Sequence, residues 1–189
     1  MKALFINASP KNNGNTARLL GIVADAFHQR GIKTETLCLG DQQYAFCKGC
    51  RACYRTASCV QHDDMQKIME GMAGADIIAI ASPDYWGGIT GQLKAFMDRC
   101  TPYSPAHEPH AALPAGKRGL GIALSAREDP AECKEILARI ERFFKRLGIK
   151  PAASFYTCGV LTEDDLNGDE GKLAEAAFFG AEVARALVK

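Results

Sequence analysis

The sequence predicts an α/β protein, with five buried strands laid parallel in one sheet and helices on both faces. Short apolar runs alternate with segments of helical periodicity from one end of the chain to the other. The run DIIAIAS is apolar at nearly every successive position, as expected for a strand covered on both sides. Strands that alternate with helices in this way are joined by crossovers, and a parallel sheet sandwiched between helices buries every apolar face.

Taken in order, KALFINA (Lys2 to Ala8) reads as a buried first strand. Residues 16–30 follow as a helix with Leu19, Leu20, Val23 and Phe27 on one face, stopped by Gly31. KTETLCL is a shorter second strand. Met65, Ile68, Met69 and Met72 mark the next helix, led by Asp63 and Asp64, acids suited to a helix N-terminus. The third strand runs from Asp76 to Ser82, and Leu93, Phe96, Met97 and Cys100 share the helical face after it. RGLGIALS is the fourth strand. In DPAE, Asp129 stands at an N-cap, Pro130 at the first helical position and Glu132 three residues after the cap. Ile136, Ile140, Phe143, Phe144 and Leu147 form the stripe of that helix. AASFYTC is the fifth strand, and Leu173, Ala176, Ala177, Gly180, Ala184 and Leu187 complete a last helix. Thr101 to Lys117, with its four prolines, is a long surface loop.

At 189 residues, 47% hydrophobic and 24% charged, the chain fits one ordinary domain spanning 1–189, without linker or repeat. A net charge of +1 with no basic run gives no reason to expect nucleic acid or an anionic membrane as partner. The opening apolar run is too short for a signal-peptide core, and no segment reaches the roughly 20 apolar residues that cross a bilayer. The expected compartment is therefore the cytoplasm. There, eight cysteines favour a metal or redox role over a disulfide framework.

Two loops carry the ligand chemistry. NASPKNNGNTARLL leads from the first strand into a helix. It offers hydroxyls at Ser9 and Thr16, amides at Asn13 and Asn15, a flexible Gly14 and the cation Lys11, beside helix-start N–H groups that favour an anion. It is neither a Walker loop nor a G-x-G-x-x-G fingerprint. An Asn-rich turn would use the same residues, but a position at the end of the first strand favours a ligand. A response-regulator receiver would need acids here and a phosphorylatable Asp ending the third strand. Those places read Asn7-Ala8-Ser9 and Ser82-Pro83. After the third strand, SPDYWGG combines the chain's only Trp with a Tyr and paired glycines, suited either to a tight turn or to the wall of a flat ring.

Together ASPKNNGNT, DDM, GADIIAIASPDYWGG and GQLKAFMDR resemble the flavodoxin-like NAD(P)H-dependent FMN reductases over at least residues 1–100. The resemblance implies a flavodoxin-like three-layer sandwich with strand order 2-1-3-4-5. It further implies that Ser9, Lys11, Asn13, Gly14, Asn15 and Thr16 hold the FMN phosphate and that Pro83, Asp84, Tyr85, Trp86 and Gly87 line the ring. The third flavin loop, Ser125, Ala126 and Arg127, departs from the glycine-rich form of the family, and Arg127 would bring a charge to the ring. Asp84 stands where an apolar residue is common. A carboxylate there would disfavour negative charge on the reduced ring, so Asp84→Val is expected to raise the midpoint potential.

Cys47, Cys50, Cys53 and Cys59 are spaced C-x2-C-x2-C-x5-C. A loop containing Gly49 can wrap these thiols around a cubane, and the first three match the spacing of bacterial ferredoxins. Zinc, or no metal at all, is the competing reading. The run resembles that of the iron–sulfur flavoproteins, a branch of the same superfamily, and implies a [4Fe–4S] cluster exchanging electrons with FMN. Cys38, Cys100, Cys133 and Cys158 are expected to be buried. His107 and His110 are expected on a flexible loop at the flavin edge or a subunit contact. The implied activity is FMN-dependent oxidoreduction, with NAD(P)H or ferredoxin as donor, a small-molecule acceptor and assembly as a homodimer or higher homo-oligomer. The alternatives are an FMN-only quinone reductase with an empty or zinc-filled cysteine site, and a flavin-free interaction module.

Overall fold

In the computed structural model, which describes residues 1–162 and 165–188, the strands are β1 (Lys2–Asn7), β2 (Lys33–Cys38), β3 (Ile77–Pro83), β4 (Arg118–Leu124) and β5 (Lys150–Thr157). All pair in parallel, in the order β2-β1-β3-β4-β5. The expected span of 1–189 includes 163, 164 and 189, which lie outside the described residues. The helices are α1 (Asn15–His28), a single turn α2 (Cys53–Thr56), α3 (Met65–Gly74), α4 (Gly91–Arg99), α5 (Ala131–Arg146) and α6 (Glu170–Leu187). None among the described residues is long and apolar enough to cross a membrane.

Strand periodicity divides the core. Leu4, Ile6, Ile78 and Ile80 face Ile68, Met72, Phe96 and Ile136 from α3, α4 and α5. Ala3, Phe5, Ile77 and Ala79 face Leu19, Val23, Ala176 and Ala184 from α1 and α6. The second interface is close. A Cβ on Gly180 would stand 3.0 Å from Ala26 Cβ and 3.1 Å from Val23 Cα, so glycine sets the approach of α6 to α1.

Several expectations shift in detail. The α5 helix begins one residue later than DPAE suggests, with Pro130 at the cap position. Asp129 Oδ1 accepts from Ala131 N at 2.9 Å. Glu132 is thereby freed from capping and turns toward β3. Asp63 serves the helix start, its Oδ1 accepting from Met65 N at 3.2 Å, and both acids also hold the chain before it. Asp63 Oδ2 accepts from Ala45 N at 3.2 Å, and Asp64 Oδ2 from Gln43 N at 2.6 Å. Cys100 and Cys133 are buried as expected, whereas Cys38 and Cys158 are only half-buried, near the open ends of β2 and β5.

Candidate active site

Reversal of strand order beside β1 opens a crevice at the carboxyl ends of the strands. A cavity of about 400 Å³ occupies it, within the range of small-molecule sites. Its floor at one end is the loop after β1: Ser9, Lys11, Gly14, Asn15 and Thr16. The buried Asn7 side chain shapes this loop, accepting from Ser9 N at 2.9 Å and donating to Lys11 O at 3.1 Å. Ser9 Oγ accepts from Lys11 N at 3.1 Å. Among the described residues no side chain caps α1, in contrast to Thr90 on α4 and Asp169 on α6. The N–H groups of its first turn are therefore open to an anion, and no acid in that turn would repel one. This donor set fits a phosphate.

Pro83, Asp84 and Tyr85 from the loop after β3 form the opposite wall, with Leu124 and Ala126 at the end of β4. Val160, Leu161 and Thr162, which follow β5, complete it. The sequence carries no motif for this last segment; only the pairing of β5 with β4 brings it here. Asn15 Nδ2 donates to Thr162 O at 2.6 Å and latches the first loop to the last.

The structure thus brings Ser9, Lys11, Gly14, Asn15, Thr16, Pro83, Asp84, Tyr85 and Ala126 around one cavity and leaves Asn13, Trp86, Gly87, Ser125 and Arg127 off its lining. Tyr85 to Gly88 close a tight turn through reciprocal backbone bonds of 2.9 and 3.2 Å. Trp86 and Gly87 both hold positive φ, 57° and 72°, as a type I′ turn requires. That backbone throws the indole outward, and Trp86 is fully exposed. Ser125 is buried, and its hydroxyl donates to Arg127 O at 2.9 Å. The Arg127 side chain meets Glu132 at 3.5 Å.

Glu132, which sequence reasoning treats only as a capping residue, lies within hydrogen-bonding reach of Asp84. Asp84 Oδ1 is inaccessible to solvent and has no donor among the described residues. Burial and then the charge of Glu132 push the Asp84 carboxyl above the ordinary carboxylate range, while the amides of Gly87 and Gly88 pull more weakly the other way.

The four clustered cysteines sit on an irregular loop with Gly49, Arg51 and Ala57 in left-handed conformation, Cys53 opening α2. All four are free thiols, and Cys53 interacts electrostatically with Cys47, Cys50 and Cys59. Among the described residues no three metal-binding side chains converge on one ion. A cubane binds its thiolates at separate corners, so four neighbouring thiols on a pliable loop suit it chemically. Arg99, buried on α4, fastens both flanks of this loop. Its guanidinium donates to Ala45 O at 2.7 Å and to the Asp63 carboxylate at 2.7 and 2.9 Å. His107 does not reach the cavity; it stacks on Tyr54 of α2, ring centroids 4.1 Å apart. The 101–117 loop therefore packs on the cysteine segment.

The family description NADPH-dependent FMN reductase matches residues 1–157. An iron–sulfur flavoprotein of Archaeoglobus fulgidus is 31% identical over 187 residues, 99% of this chain and 80% of that protein. An iron–sulfur flavoprotein of Methanosarcina thermophila is 38% identical over 99 residues, about half of each chain (52% of both). The fold is shared with the NAD(P)H:quinone oxidoreductase of Methanothermobacter marburgensis at 14% identity, TM-score 0.74, covering 100% of this chain and 98% of that one. It is shared as well with an FMN-dependent NADH-azoreductase of Bacillus anthracis solved with FMN, at 18% identity, TM-score 0.70 and full coverage of both. The chain belongs to the NADPH-dependent FMN reductase family and, within it, to the iron–sulfur flavoproteins: it is an FMN-dependent oxidoreductase.

Proposed function

We propose that FMN lies in the cavity at the strand ends, phosphate on the β1–α1 loop and ring against Pro83 to Tyr85 and Ala126, and trades electrons with a [4Fe–4S] cluster on Cys47, Cys50, Cys53 and Cys59. The observation that carries this reading is the cavity itself. An uncapped helix start and polar loop at one end face a mainly apolar wall at the other, as an anionic tail and a flat ring require. Bound FMN would supply the conversion between hydride and single-electron transfer. The protein's part is to hold the phosphate with Ser9, Lys11 and Thr16 and the α1 amides, to latch the loops through Asn15, and to set the charge beside the ring with Asp84. A nicotinamide is the donor that the family supports, a quinone-type molecule the acceptor; ferredoxin as donor and a homodimer are the finer proposals.

Oxygen-free purification followed by an absorption spectrum, iron and sulfide analysis, and rapid mixing with NAD(P)H or reduced ferredoxin tests this. Flavin and iron–sulfur absorption bands with iron and sulfide in equal amounts are expected. Stoichiometric zinc without sulfide would remove the cluster and leave the FMN-only quinone reductase. Colourless protein that ignores added FMN would remove the flavin.

A further inference from the structure

The flavin reading gives Glu132 no task, yet it lies against the cavity's own acid. Asp84 comes from the loop after β3 and lines the cavity, Glu132 from the first turn of α5. Asp84 Oδ1 is sealed from water without a donor among the described residues, and the Glu132 carboxyl is within hydrogen-bonding reach. Two ionised carboxylates repel strongly in such a place, because Asp84 Oδ1 is cut off from water and Glu132 is only partly exposed. One proton between them removes the repulsion and satisfies the orphaned oxygen at once.

We propose that Asp84 and Glu132 form a proton-sharing carboxyl pair, holding one proton and one negative charge at rest, that takes up a second proton from solvent when reduction brings negative charge into the adjoining cavity. This rests on the flavin reading of that cavity. The route to solvent runs through Glu132, whose partly exposed carboxylate faces the exposed Arg127 at 3.5 Å. Each two-electron reduction draws one proton into the pair, and reoxidation returns it. The nicotinamide donor supplies the electrons as hydride and leaves oxidised.

The surrounding groups allow this. Cys133, next to Glu132 on α5 and close to Asp84, has its thiol pushed up to about 11 by burial and stays neutral. Cys158 faces Cys133, and Lys11 lies across the cavity. Arg127 is the charged partner of Glu132, and Glu128 is turned away toward Gly159. An Asp84→Val change alone would therefore leave the charge of Glu132 in place. The potential shift expected from the sequence should need both acids removed.

The test combines a flavin-free and a flavin-loaded measurement on wild type, Asp84→Asn and Glu132→Gln. Infrared spectra of the flavin-free protein at neutral pH should show a protonated-carboxyl band that Asp84→Asn loses; no such band in wild type overturns the pair. Redox titration of the FMN-loaded proteins across pH should give wild type one more proton per two electrons than either variant. Equal pH slopes in all three overturn the coupling. Either variant suffices for the comparison should the other fail to fold. A fluorescence titration showing that wild type takes up no FMN would fell the flavin reading and the coupling with it, while the infrared band judges the pair separately.

Discussion

At Asp84, burial and a neighbouring carboxylate act in the same direction, and the consequence reaches stability as well as chemistry. Its folded pKa is raised above the ordinary carboxylate range, so at pH values between the unfolded and the folded pKa folding takes up a proton. A raised acid contributes stability that is fully present below the unfolded value and lost as pH rises through the folded one. Asp84→Asn keeps the shape and the neutral state without that proton uptake. It should be more stable than wild type near neutral pH, with the advantage shrinking toward pH 4, in thermal melts at several pH values. A constant offset across pH would show that Asp84 is ionised in the folded chain. The sequence marks Asp84 as unusual by its position after the third strand, but nothing in it marks Glu132. An acid at the start of an amphipathic helix looks like a capping residue until α5 is docked on the sheet. Trp86 shows the same limit: its ring chemistry suits a flavin wall, and a type I′ turn, not that chemistry, decides where the ring points.

Between residues and fold, the informative element is the cysteine loop with its anchor. Four thiols at that spacing are legible in the sequence, and so are DDM and the DR that ends α4, but only as separate patterns. The structure joins them. Asp63 and Ala45, on the two sides of the loop, meet the same guanidinium, and Arg99 has only 1% of its side chain exposed. The pairing holds Asp63 below the ordinary carboxylate range, chiefly through the hydrogen bonds from Arg99. A planar fork is needed, because one cation must serve a carbonyl and both carboxylate oxygens together. Arg99→Lys keeps the charge and loses the fork. Removing a partner from such a buried pair costs about 3–5 kcal/mol, and the lysine variant should fall short of that. The expected outcome is a loop closed less firmly: lower iron and sulfide per bound FMN after anaerobic reconstitution, with FMN affinity unchanged. Unaltered metal loading would mean that the loop holds its own shape.

On the scale of the whole molecule, strand order is what the apolar runs could not state outright and what the site depends on. The runs give five strands and their burial. The order comes from the resemblance carried by the two loops, because many arrangements satisfy the same hydrophobic pattern. Once β1 and β3 are neighbours and β5 closes one edge, segments distant in sequence wall one cavity: the loop after β1, Pro83 to Tyr85, Ala126 and Val160 to Thr162. A ligand spanning that cavity contacts the ends of four strands, so its binding energy should appear as stability of the entire fold. At a concentration a hundred times its dissociation constant, FMN should add about 2.7 kcal/mol, a rise of roughly 5–10 °C in Tm for a chain of this size. Riboflavin, which has the ring without the phosphate, brings no anion to the open α1 amides. At the same concentration it should produce much less of that rise. If the two ligands raised Tm equally, the β1–α1 loop would not be a phosphate site, and the placement of the ring against Tyr85 would have to be argued without it.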